Sequence, residues 1–233
     1  MMVMDLLLAT SNPHKLEELR AILAHASFAS PAIRLLSLND LPGARACAEP
    51  AETGATFEDN ARIKALAYAR MTGLPCLADD SGLEVDALRG LPGVHSAYYA
   101  FWSPDMPANA APPADLPPRA ERDRLNNEKL LRELDRAGAT DPRRRAARFV
   151  CAMALASPDA ASPDGARILA VTRGEFPGVI GSAPRGSNGF GYDPLLVLED
   201  GRTSAELSPE EKNARSHRGA AARAMARRIA ECL

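Results

Sequence analysis

Apolar and polar positions fall in short blocks along the chain. Val3 to Ala9 is an apolar run that stops at the polar cluster Thr10-Ser11-Asn12-Pro13, after which Leu16, Leu19, Ile22 and Leu23 recur at helical spacing. The pattern predicts a strand, a tight loop and a helix. Ser11 or Asn12 caps that helix, and Pro13 fits its first turn, where a missing N–H costs nothing. Thr56-Phe57-Glu58-Asp59 resembles a capping box, so a second helix is expected from Thr56 to about Met71, closed by Gly73 and Pro75. Pro75 to Ala78 then reads as a buried strand that leads into Asp79-Asp80-Ser81-Gly82, with Leu83-Glu84-Val85 resuming an alternating pattern. Two adjacent acids are thus expected at a strand end.

Pro104 to Pro118 holds six Pro and four Ala in fifteen residues, which excludes a regular helix and predicts an exposed loop. Leu125, Leu130, Leu131 and Leu134 mark an amphipathic helix beyond it. Arg148 to Ala156 and Arg167 to Phe176 read as an antiparallel hairpin joined by a turn from Ser157 to Gly165. The glycine-rich stretch Pro184 to Pro194 feeds the apolar run Leu195 to Leu198. A last helix is expected from Ser208 as N-cap, with Pro209 at N1 and Glu211 at N3, to the end of the chain. Strands and helices interleave without strict βαβ regularity, which predicts an α/β or α+β domain with a mixed sheet.

A length of 233 residues suits one large domain or two small ones, and 25% charged with 46% hydrophobic residues is an ordinary globular composition. A net charge of -2 gives no global case for binding nucleic acid or a membrane, so an anionic partner is expected to be small. Cys47, Cys76, Cys151 and Cys232 lie far apart with no CxxC pair, which argues against a disulfide or zinc framework. The first apolar stretch is interrupted by Asp5 and lacks a basic flank, so it does not read as a signal peptide. Nothing approaches the ~20 apolar residues of a membrane span. A cytoplasmic location is expected.

Four groups of residues carry candidate chemistry. Thr10-Ser11-Asn12-Pro13-His14-Lys15, at a strand-loop-helix joint, offers hydroxyls, amides and an ammonium to a phosphate, or is simply a capped helix start. It lacks the GxxxxGK[ST] pattern of a Walker A loop. Glu49, Glu52, Asp79 and Asp80 form an acidic group suited to Mg2+, which takes one or two carboxylates plus waters and substrate phosphates. Alternation along a strand sends neighbouring side chains to opposite faces, so one Asp would face the site and the other brace the turn. An acidic turn facing solvent is the plain alternative. Lys64, Lys212, Arg215, His217 and Arg218 are cations at helix positions, and those from Lys212 onward sit in the first turns of a helix, where anions are favoured. Gly189-Phe190-Gly191-Tyr192-Asp193-Pro194 offers a stacking ring flanked by glycines and a carboxylate that accepts ring N–H groups, or a structural turn with a core Phe.

In this order the segments Leu8 to Lys15, Glu52 to Ala61, Leu77 to Leu83, Gly189 to Pro194 and Glu211-Lys212-Asn213 with Ser216-His217-Arg218 resemble the inosine triphosphate pyrophosphatase family. They span nearly the whole chain. The resemblance implies one domain over residues 1–233, an α/β fold on a long mixed β-sheet flanked by helices, with two lobes and the nucleotide cleft between them, and a homodimer. It implies Mg-dependent hydrolysis of nonstandard purine nucleoside triphosphates to monophosphate and pyrophosphate, which cleanses the nucleotide pool. Asp80 would orient and deprotonate water, hold Mg2+, or do both, with Glu52 and Glu49 as further metal carboxylates. Thr10 to Lys15, Lys64 and Lys212 would hold the triphosphate, and Ser81 would touch the substrate. Phe190, Gly191, Tyr192, Asp193, His217 and Arg218 would surround the purine. A haloacid-dehalogenase-like phosphatase would need a DxDxT-type motif, which is missing, and a nucleotide-binding regulator would not need the acids. The Pro/Ala-rich stretch at 104–118 departs from the family's expected length there, and Ser187-Asn188 precedes the glycine loop.

Overall fold

Leu6, Leu7 and Leu8 are all fully buried, because their strand has a neighbour on either side and both faces are covered. In the computed structural model, which describes residues 3–10, 12–24, 32–41, 49–106, 113 and 115–233, this strand is β1 (Val3–Leu8). It runs parallel to β2 (Ala32–Ser37) and to β3 (Cys76–Val85), with Leu8 opposite Ser37 on one side and Leu77 on the other. The sheet continues through β4 (Ala146–Pro158) and β5 (Ala166–Ile180) to β6 (Leu196–Val197), in the order β2-β1-β3-β4-β5-β6. β5 and β6 are antiparallel, so the sheet is mixed. The α-helices are α1 (Pro13–Ala24), α2 (Phe57–Thr72), α3 (Arg119–Arg136), α4 (Pro209–Arg215) and α5 (His217–Cys232).

The chain forms two compact units. One comprises Met1–Asp80, Cys151–Gly174 and Arg218–Leu233, and the other Ser81–Val150 and Glu175–His217. The core of the first is built from Leu6 and Leu8 of β1, Leu19 and Leu23 of α1, Leu77, Met153 and Leu155 of the sheet, and Met225 and Ile229 of α5. That of the second gathers Leu83, Val85 and Phe149 with Leu130 and Leu134, one turn apart on α3, and with Phe176, Tyr192 and Leu207. Burying each large apolar side chain contributes about 1.5–3 kcal/mol, so these two clusters are the main stabilising term of their units.

Three expectations are corrected. Asp79 and Asp80 do not end a strand, for β3 runs unbroken from Cys76 to Val85. Gly82, which suggested a turn, is glycine because of close approach: a Cβ there would lie 2.3 Å from Ser96 Oγ and 2.7 Å from the Gly93 carbonyl. The C-terminal helix is two helices, broken at Ser216, whose ψ of 160° leaves the helical region while its N–H still caps α4 on Lys212 O. β2 had no sequence expectation, because its pattern is interrupted by Arg34. That side chain is held by Asp5 at the opposite register position, 2.6 Å away, as suits an edge strand.

Other elements follow the local chemistry. Asn12 is the cap of α1: its side-chain oxygen accepts from the His14 N–H at 3.1 Å and, more weakly, from that of Lys15 at 3.5 Å. Thr56 Oγ1 accepts from the Asp59 N–H at 3.1 Å to open α2, and Gly73 closes it at φ 68°, the left-handed conformation that glycine adopts freely. β4 and β5 are sheet neighbours joined by a turn in which the Asp159 N–H donates to Gly165 O at 3.0 Å. Ser11, Cys47 and residues 107–112 and 114 of the Pro/Ala-rich stretch lie outside the described residues. No described helix is long and apolar enough to cross a membrane. Thr56→Ala, which removes the cap of α2, is expected to lower stability by about 1 kcal/mol; a shifted urea midpoint at unchanged slope would register it.

Candidate active site

β1 and β3 are parallel neighbours, so the loop that leaves β1 and the acids of β3 are brought to the same end of the sheet. Crevices at the carboxyl ends of parallel strands are where open α/β sheets bind ligands. Asp79 and Asp80 are consecutive strand residues and engage different helices. The Asp79 carboxylate meets Lys15 Nζ of α1 at 2.9 Å and Arg218 Nε of α5 at 3.6 Å. Arg218 is itself paired to Glu18 of α1 and is fully buried. Asp80 instead faces α2: its Oδ2 accepts from Asn60 Nδ2 at 3.1 Å and its Oδ1 lies 3.6 Å from Lys64 Nζ. Lys64 Nζ also lies 2.7 Å from Glu52 Oε1.

Local sequence explains this placement. Asn60 and Lys64 are four residues apart on α2, so both project from one face onto Asp80. Asn60 Oδ1 accepts from the Gly54 N–H at 2.8 Å, which ties the segment carrying Glu52 to the same helical turn. A Cβ on Gly54 would come within 2.5 Å of Asp59 Cβ, so that close approach requires glycine.

The two carboxylates differ in charge state as they differ in partners. Burial pushes the Asp80 carboxyl up; Lys64 pulls it back and the Glu52 charge adds to the rise, leaving it at about 6. Burial acts on Asp79 in the same sense, yet Lys15, Arg218 and Lys64 outweigh it and hold Asp79 well below the usual carboxylate range. Lys64 stays charged: burial opposes the charge, but Asp80 and Glu52 raise its pKa above the ordinary value. Asp79 is therefore a fixed anion, whereas Asp80 is a carboxylate near the midpoint at which proton transfer is easiest.

Glu52 and Asp80 set two hard oxygen donors about a single point, now taken by the Lys64 ammonium, and Asp79 Oδ1 is buried without a hydrogen-bond partner. This donor set fits a divalent cation that shares its shell with water and phosphate. Glu49 is exposed. Among the described residues no group of three or more His, Cys, Asp or Glu side chains gathers at metal-ligating spacing.

The phosphate-loop residues are placed less freely than expected. Thr10 Oγ1 accepts from the Asn12 N–H at 3.2 Å, and the Asn12 carboxamide takes the next amides of α1. Pro13 and His14 are exposed, and Lys15 is bound to Asp79. Ser81 follows Asp80 on β3, half-buried.

The second unit holds the aromatic group. Phe190 N–H and Lys212 Nζ both bond Asp193 Oδ2, at 2.8 and 2.7 Å, while Ser204 Oγ donates to Asp193 Oδ1 at 2.7 Å. The Asp193 carboxylate is buried and serves as the internal post of its own loop. Gly189 permits this: its φ is 78°, and a Cβ there would lie 2.1 Å from Asp193 Oδ2. Lys212 Nζ sits 5.0 Å from the Phe190 ring centroid. Tyr192 is buried, and its hydroxyl donates to Ser96 O at 2.9 Å. His217 stacks on Phe149 with ring centroids 5.0 Å apart. Arg218, expected beside the purine, is placed in the first unit with Glu18 and Asp79.

Asn60 and Glu18 were not singled out as functional residues in the sequence. The signal for Asn60 was a polar residue one turn before Lys64 in an otherwise Ala-rich helix, whereas that for Glu18 required knowing that α1 and α5 meet.

Fold and site together define an α/β protein with a carboxylate–lysine centre midway along β3, beside the carboxyl end of β1. The chain belongs to the Ham1 family, whose sequence model matches residues 6–228. It is 47% identical to the dITP/XTP pyrophosphatase of Anaeromyxobacter sp. (strain Fw109-5), over 94% of each chain, and 47% identical to that of Frankia alni, over 99% of each. Among solved structures it is similar to a HAM1 protein from Coxiella burnetii, at 35% identity and a TM-score of 0.75 over 98% of this chain and 99% of that one. It is also similar to the nucleoside-triphosphatase / dITP/XTP pyrophosphatase of Mycobacterium abscessus, at 42% identity and a TM-score of 0.65 over 96% and 98%.

The Asp193–Lys212 pair makes a direct prediction. Asp193→Ala removes the carboxylate that faces a buried ammonium and is expected to cost about 3–5 kcal/mol, while Asp193→Asn combined with Lys212→Met should recover most of that loss. Chemical denaturation of the three proteins is the check.

Proposed function

We propose that the protein hydrolyses nonstandard purine nucleoside triphosphates such as ITP, dITP and XTP to the monophosphate and pyrophosphate, and so clears them from the nucleotide pool. The observation that carries this reading is Asp80: a buried carboxylate with a raised pKa, hydrogen-bonded to Asn60 and facing Lys64, in a family whose relatives bear the name of this activity. Asp80 takes a proton from the attacking water, whose oxygen forms a bond to the α-phosphorus as the bond from that phosphorus to the bridging oxygen breaks. Pyrophosphate leaves with that oxygen. No covalent intermediate is needed.

Asp80 and Glu52, with Glu49 nearby in sequence, would hold Mg2+, which when bound offsets the charge of the triphosphate. Lys15 uses one of its three N–H donors on Asp79 and offers the others to phosphate oxygens, together with Lys64 and the Thr10–His14 loop. Ser81, the next residue of β3, touches the substrate through its hydroxyl or its amide. We assign Lys212 to the base loop rather than to the triphosphate, because Asp193 holds it beneath the Phe190 ring's reach. Phe190 provides the stacking surface, with Gly191, Tyr192, Asp193 and His217 shaping or supporting the purine site, whereas Arg218 supports Asp79. A donor placed at the 6-keto oxygen of hypoxanthine or xanthine faces another donor when adenine enters, and such mismatches reject by roughly 10⁴ to 10⁵. The homodimer and the cytoplasmic location belong to the same reading and rest on the family resemblance.

End-product analysis with Mg2+ and ITP, XTP, GTP or ATP tests the assignment. Pyrophosphate plus monophosphate, formed mainly from ITP and XTP, is expected; diphosphate plus phosphate, or no turnover, contradicts it. Asp80→Asn should lower kcat by about 10²–10⁴-fold while nucleotide still binds. A variant with full activity would remove Asp80 from the mechanism, and a regulator without catalysis would show no wild-type turnover to lose.

A further inference from the structure

Helix α3 carries Arg119, Asp123 and Asn127 at successive intervals of four residues, a spacing that aligns side chains along one face. All three meet the glycine loop, at Phe190 or Gly191. Asp123 Oδ2 accepts from the Gly191 N–H at 2.9 Å, and Asn127 Nδ2 donates to the Gly191 carbonyl at 3.0 Å. Both polar groups of Gly191 are thus bound by α3, and its φ of 64° is one that glycine adopts without strain. Arg119 places its guanidinium carbon 4.8 Å from the centroid of the neighbouring Phe190 ring and its Nε 3.6 Å from Asp123 Oδ2. Asp123 therefore joins the loop backbone to the cation that lies against the ring. Asn127 is buried, and its Oδ1 has no hydrogen-bond partner, so packing alone does not account for an amide at that position.

From this arrangement we infer that Asp123, flanked by Arg119 and Asn127, is a positioning residue for base recognition: it fixes the Gly191 peptide and thereby the orientation of Phe190, on which the purine stacks. The inference rests on the reading of Phe190 as the base platform. Asp193 holds the same loop from its other side through the Phe190 N–H, so the ring is set by two carboxylates, one within the loop and one on α3. Removing the α3 carboxylate leaves the ring in place as a hydrophobic group but frees its orientation. Base affinity falls as a result, while phosphate binding, which depends on residues of the first unit, does not.

The test is calorimetric binding of inosine monophosphate and, separately, of inorganic pyrophosphate, both with Mg2+, to the wild type, Asp123→Ala, Asp123→Asn and Arg119→Gln. Loss of one charge-assisted hydrogen bond predicts about a tenfold weaker Kd for the monophosphate in Asp123→Ala and a change of less than about twofold for pyrophosphate. Asparagine still accepts from the Gly191 N–H, so Asp123→Asn should recover the monophosphate affinity to within about threefold, and the half-buried Arg119→Gln should weaken it by about threefold. Equal weakening of both ligands in Asp123→Ala, or no rescue by asparagine, would show a general structural role and overturn the inference. Should Asp123→Ala not fold, the asparagine and Arg119 variants decide, and unchanged monophosphate affinity in Arg119→Gln counts against it. A wild type that binds pyrophosphate but not the monophosphate would overturn the base-platform reading itself; a wild type that binds both, with Asp123→Ala unaltered, would overturn this inference alone.

Discussion

The arrangement depends on the buried charge of Asp79. An ionised carboxylate out of water is costly unless it is paired, and Asp79 is paired twice, by Lys15 from α1 and by Arg218 from α5. Arg218 in turn needs Glu18. The result is a linked set of charges, Lys15, Asp79, Arg218 and Glu18, that joins β3 to α1 and α5, one helix near each end of the chain. Because strand residues alternate in direction, fixing Asp79 to α1 and α5 turns Asp80 toward α2.

Asp80 is consequently left with weaker compensation. Its ammonium partner is 3.6 Å away and is shared with Glu52, so burial prevails and the carboxyl sits at about 6. Neighbouring residues of one type thus differ in charge state through their surroundings alone, one a permanent anion and one a carboxyl raised toward neutrality. The second unit repeats the economy of a paired buried carboxylate at Asp193, where Lys212, Ser204 and the Phe190 amide take its lone pairs. There the pair shapes a loop.

Much of this was legible in the sequence because the relevant signals are local. Thr56 and Gly73 delimit α2, Asn12 and Pro13 start α1, and the acids of β3 announce themselves as polar residues in an apolar strand. What could not be read was which cation meets which anion. Lys15 and Lys212 looked like free phosphate ligands, yet each is bound to a carboxylate distant in sequence, 64 residues away for Lys15. Gly82 read as a turn because a one-dimensional pattern does not show that Ser96 presses against it. Arg119, Asp123 and Asn127 lay in plain view at helical spacing, but their targets, Phe190 for the first and Gly191 for the other two, are set by tertiary packing.

Stability measurements on the two neutral variants separate Asp79, a paired anion that anchors the helices, from Asp80, whose buried charge is only partly compensated. Asp79→Asn removes the carboxylate that Lys15 and Arg218 share, so the unfolding free energy at neutral pH should fall by about 3 kcal/mol or more. Asp80 has a folded pKa above its unfolded value, so at neutral pH its charge opposes folding, and Asp80→Asn should be as stable as the wild type or more so. The reverse order, with Asp80→Asn the less stable protein and Asp79→Asn unaffected, would contradict the account.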